Sequence, residues 1–126
     1  MSTSEALATA IDAIEGGYEF MLAYAAQGRK TDQGASEGPR DKLEAMASAL
    51  DVLPELARKI AAGQLGDSEA FFDQVERDAA VSAGALRIVL ARKDISSQLI
   101  DSLNASIHLR AVLTDIFLID EALNAT

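Results

Sequence analysis

The chain has 126 residues, 49% of them hydrophobic, with no cysteine and a formal net charge of −9. That is the size of one domain with enough apolar content for a core. The charge argues against nucleic acid, whose phosphates need lysine and arginine, and against anionic membrane surfaces. Lack of cysteine removes disulfides, thiol nucleophiles and thiolate metal sites.

No apolar run approaches the roughly 18 residues of a membrane span. Residues 1–10 have neither the basic nor the apolar region of a secretory signal, so the expected compartment is the cytoplasm. Abundant alanine and only two prolines favour helix.

A first helix is expected over 4–28, with Ser4 as N-cap and Gly28 as C-cap. Leu7, Ile11, Ile14, Tyr18, Met21 and Ala25 step by three and four, the spacing of one helical face. Gly16 and Gly17 interrupt this face, which implies a bend or the close approach of a neighbour. Residues 29–39, from Arg29 to Pro39, are polar and glycine-rich and read as a mobile loop.

A second helix is expected over 40–62, with Leu43, Met46, Leu50, Leu53, Ala57 and Ile60 inward. Pro54 removes one backbone donor within it, so a kink is expected there rather than a break, since the apolar phase continues. A third helix over 68–92 starts at Asp67 or Ser68 and buries Phe72, Val75, Ala79, Leu86 and Val89.

The fourth, over 94–124, is capped by Asp94 and carries two apolar arcs about a quarter turn apart. One holds Ile95, Leu99, Leu103, Leu113 and Phe117. The other holds Ala105, Leu109, Val112, Ile116, Ile119 and Leu123. A bundle helix usually buries one stripe. The expected fold is an all-α, antiparallel, up-down-up-down four-helix bundle.

Leu109, Val112, Ile116, Ile119 and Leu123 are therefore the candidate interface, for a second copy of the chain or another protein. Residues 1–27 and 94–126 together hold nine acids and one base, −8 of the total −9. Asp12, Glu15 and Glu19 cluster on the first helix. The expected consequence is an acidic side, serving solubility or a basic partner.

Arg110 falls among apolar positions of the last helix. It is expected to be buried and paired with Asp78 or Glu121, or else to mark an internal anion site in a ligand-binding or enzymatic bundle. His108 shares a polar arc with Asp101, Asn104 and Asp115. As the only histidine it raises phosphotransfer, but Arg110, Ala111 and Val112 follow it where that chemistry wants lysine and glycine. One histidine cannot supply the paired Glu-x-x-His of a di-iron bundle. No phosphate loop or nucleophile elbow is present. The expectation is a small acidic interaction or accessory module with no catalytic residue, metal or cofactor.

Overall fold

The computed structural model of the chain describes residues 2–35, 37–66 and 68–125. It is all-helical, with five helices among the described residues: α1 Thr3–Ala25, α2 Pro39–Gln64, α3 Glu69–Leu90, α4 Ser97–Asn104 and α5 Ile107–Asn124. The long last helix expected from sequence is two, with axes 59° apart.

α1 begins two residues earlier than Ser4 would set it. Ser2 accepts from the Glu5 amide while the Glu5 carboxylate accepts from the Ser2 amide, a reciprocal capping box. The helix runs unbroken through both glycines. Gly17 is there because Met46 of α2 packs against its bare backbone, whereas Gly16 faces open space. α1 ends at Ala25, capped by Ala26, so Gly28 lies beyond it and supplies a turn at φ 65°. α2 starts with Pro39 at its first turn, where a missing amide costs nothing, and continues through Pro54. Ser68 is the N-cap of α3; Asp67, the alternative, lies outside the described residues.

α1 packs along α2, α2 along α3, α3 along α5, and α4 closes against α1. Leu7, Ile14, Met21, Leu43, Met46, Leu50, Leu53, Val75, Leu86, Ile95, Ile100 and Leu109 fill the centre.

The segment between α1 and α2 is joined to distant parts of the chain at several points. The Arg29 amide donates to Ser97 Oγ at 2.8 Å and the Ser97 amide returns a bond to the Arg29 carbonyl at 2.8 Å. Asp32 accepts from the Ile95 amide and from Arg40, and these bonds hold its carboxyl below the usual range. Arg40 also donates to the carbonyls of Leu90, Arg92 and Lys93 at the end of α3. It thereby satisfies acceptors that a helix C-terminus leaves open. Asp94, expected as a helix cap, accepts from Thr31 instead, and Ser96 caps α4.

A break falls at Asn104-Ala105-Ser106, where Asn and Ser compete for backbone bonds and weaken a helix interior. Ser106 takes an extended conformation and starts α5. A break that turns the axis re-phases every later residue. In α5 the buried side chains are Leu109, Val112, Ile116 and Ile119 of the second arc together with Leu113 of the first, while Phe117 of the first is exposed.

Candidate interaction surface

Leu109, Val112, Ile116 and Ile119 are almost fully buried inside the single chain and Leu123 is half-buried against the same core. The interface expected on these residues is corrected: they hold α5 to the rest of the fold. What α5 turns outward is a different set. Ile107 is 73% exposed, Leu118 57% and Phe117 52%.

Arg110 is also outward, and no ion pair reaches it among the described residues. The same re-phasing that buries Leu109 rotates its neighbour into solvent. Glu121 is exposed as well. Arg110 instead lines a shallow groove of about 360 Å³ with Tyr18, Leu22, Asp101 and Asn104. The expected internal anion site therefore loses its arginine. His108 is exposed at the start of α5.

Asp78 is buried, as expected, but its neighbours are different. Gln74 Nε2 donates to Asp78 Oδ1 at 2.8 Å. Asp115, across the α3–α5 seam, has its Oδ2 buried without a hydrogen-bond partner. A carboxyl withdrawn from water near a second carboxyl favours its protonated form. Burial first, and then Asp78, push the Asp115 carboxyl up from its ordinary 3.8 to about 7. Asp115 was expected on a solvated polar arc; the new helix phase places it in the seam. One turn beyond Asp78, the Ser82 hydroxyl is buried without a hydrogen-bond partner.

The flanks beside these two carboxyls are mixed: Gln74 and Arg77 of α3 and His108 of α5 share them with several apolar residues. At about 100° per residue, Ala111 and Leu118 sit beside Asp115 on the outer flank of α5, with Ile107 one turn further. On α3 the outer flank beside Asp78 carries Val81, Ala85 and Ile88. Val81 is 46% exposed and Ile88 69%. Of the seven large apolar side chains exposed among the described residues, Val81 and Ile88 belong to α3 and Ile107 and Leu118 to α5, two helices that pack together. The charged residues of α3 on its other flank are engaged by α2: Arg58 pairs with Asp73, and Arg87 with Asp51.

Glu15 is half-buried, and burial raises its carboxyl, with Asp120 of α5, Asp12 and Glu19 adding to the effect. Tyr24 is not beside that cluster but in the core, where its hydroxyl donates to the Ile95 carbonyl. Among the described residues no three His, Asp or Glu side chains gather as a metal ion would require. No single described helix is long and apolar enough to cross a membrane.

Compared with protein-family models, curated proteins and solved structures, the chain matches none.

Proposed function

We propose that the chain is a protein-interaction module and that its contact surface is the outer face of α3 and α5. One observation carries this reading: four large apolar side chains, Val81 and Ile88 of α3 and Ile107 and Leu118 of α5, stand exposed on two helices that pack together. Scattered exposed apolar residues are ordinary, but a clustered set on two adjoining helices favours a partner. The ring of α1, α2, α3 and α5 is read as antiparallel, with α4 bridging back to α1. That arrangement leaves α5 flanked by α3 on one side and by the acidic α1 on the other.

The partner is a second copy of the chain or another protein. Analytical ultracentrifugation, together with affinity capture from the source cell, tests both. Ile107→Glu with Leu118→Glu changes two exposed positions, so helical content should be unchanged while association is lost. A monomeric wild type whose captured proteins are identical in the double variant would overturn the proposal.

A further inference from the structure

The groove that Arg110 lines opens where α1, α4 and α5 meet. Tyr18 and Leu22, one turn apart on α1, border it with Asp101 and Asn104 of α4 and Arg110 of α5. Leu22 is 49% exposed, which leaves apolar surface bare on the α1 side. The volume, about 360 Å³, is at the lower end of the roughly 300–1,000 Å³ that hold small molecules.

Asp101 and Arg110 are the two charged residues that line this groove, and they are opposite in sign. Both are exposed, yet among the described residues neither forms an ion pair, with the other or elsewhere. Asp101 also borders the neighbouring hollow of Arg29 and Lys30 and pairs with neither. The Arg29 guanidinium is taken by the carbonyls of Thr31 and Gln33. His108 lies roughly 200° around α5 from Arg110 at the helical repeat.

The side of Asp101 is rich in acceptors. α1 ends at Ala25 with Ala26 as its cap, and α4 ends at Asn104 with Ala105 as its cap; all four line the groove. Helix C-termini leave carbonyls open and carry partial negative charge. Asn104 is only 7% exposed, and its Oδ1 is buried with no hydrogen-bond partner. An unbonded buried acceptor is costly, and a donor arriving through the groove relieves it.

A simple anion at Arg110 would meet Asp101, two helix C-termini and a chain of net charge −9. A simple cation at Asp101 would meet Arg110. A ligand that carries both charges meets neither objection. No third charged residue lines the groove, which leaves an apolar side chain to cover Tyr18 and Leu22.

We propose that this groove binds a free α-amino acid with an apolar side chain. Its carboxylate pairs with Arg110, its ammonium group sits between Asp101 and the Asn104 amide oxygen, and its side chain lies on Tyr18 and Leu22. Arginine suits the carboxylate because its planar donors match both oxygens. The ammonium group has enough donors for the Asp101 carboxylate, the amide oxygen and a helix-end carbonyl. Val81, Ile88, Ile107 and Leu118 line no part of the groove, so this inference is independent of the contact-surface reading.

The test titrates the isotope-labelled full chain with L-leucine up to about 20 mM and follows its NMR spectrum. Saturable shifts should appear at the Asn104 side-chain amide and at the Leu22 and Arg110 backbone amides. The dissociation constant should be on the order of 1 mM, as suits a ligand of few atoms in an open groove. Leucinamide, which lacks the carboxylate, and N-acetyl-leucine, which lacks the ammonium group, should each bind at least about tenfold more weakly. Arg110→Gln should erase the preference for leucine over leucinamide. Asp101→Asn should erase the preference over N-acetyl-leucine. Both positions are exposed, so the fold is kept. Absence of saturable shifts at about 20 mM, equal binding of leucine and either blocked derivative, or a preference that survives its matching substitution would each overturn the inference.

Discussion

Replacing Asp115 by asparagine should stabilise the chain at alkaline pH, an unusual outcome for a change at a helix seam. The folded carboxyl holds its proton up to about 7, whereas in the unfolded chain it releases it near 3.8. Between those values the folded state binds more protons. This group's contribution to stability therefore falls as pH rises across that window, and stays low above it. At about 1.4 kcal/mol for each tenfold step in the proton equilibrium, the interval amounts to roughly 4 kcal/mol for a carboxyl withdrawn from water. Asp115 is only half-buried, and solvent screening brings the expected effect to roughly 1–2 kcal/mol. An asparagine at 115 carries no charge and can donate an amide proton to Asp78. Urea unfolding at pH 5 and pH 8.5 reads the effect as a difference between variant and wild type, so that Glu15 and the other carboxyls cancel. The two should be nearly equal at pH 5 and the variant more stable at pH 8.5. A variant destabilised equally at both pH values would show that burial does not hold the Asp115 carboxyl protonated in the folded chain.

Five further changes probe the packing. Val112→Glu with Ile116→Glu should unfold the chain outright, because both positions are fully buried, whereas Arg110→Ala should leave the melting temperature within the change of about 0.5 kcal/mol typical of surface positions; circular dichroism melts read both. Gly16→Ala should stabilise α1 by up to about 1 kcal/mol, since nothing faces it. Gly17→Val should cost about 1–3 kcal/mol in the same melts, because even a Cβ there meets Met46 Sδ at 2.9 Å and Cβ at 3.2 Å. Arg40→Ala should cost about 2–3 kcal/mol by freeing three carbonyls and Asp32, and should speed amide exchange at Ile95, measured by mass spectrometry or NMR.

The helical class was legible because four apolar faces repeat at three and four residues. α1, α2 and α3 fall close to their expected spans because their stripes keep one phase. Pro54 and the two glycines did not break that phase, and they do not break the helices. The last segment was misread because no glycine or proline marks the break at Asn104-Ala105-Ser106. The two arcs, one with Ile95, Leu99, Leu103, Leu113 and Phe117 and one with Ala105, Leu109, Val112, Ile116, Ile119 and Leu123, both run across the break and so did not mark it. A straight helix with two faces and a bent helix with one give the same pattern on a wheel. That single ambiguity exchanged the core and the surface of α5, putting Arg110 inside and Asp115 outside. The anchoring of Arg29, Thr31 and Asp32 was illegible for another reason: their partners at Asp94, Ile95 and Ser97 lie more than sixty residues away.

The claim that the α3–α5 face is where partners bind is tested most directly by site-specific photo-crosslinking in the source cell. A photoreactive amino acid is placed at Leu118, and in a parallel strain at Val52, which is exposed to a similar degree on the α1–α2 side of the fold. The account predicts a discrete covalent adduct from position 118 and none from position 52. Adducts from 52 with none from 118, or the same adducts from both, would contradict it.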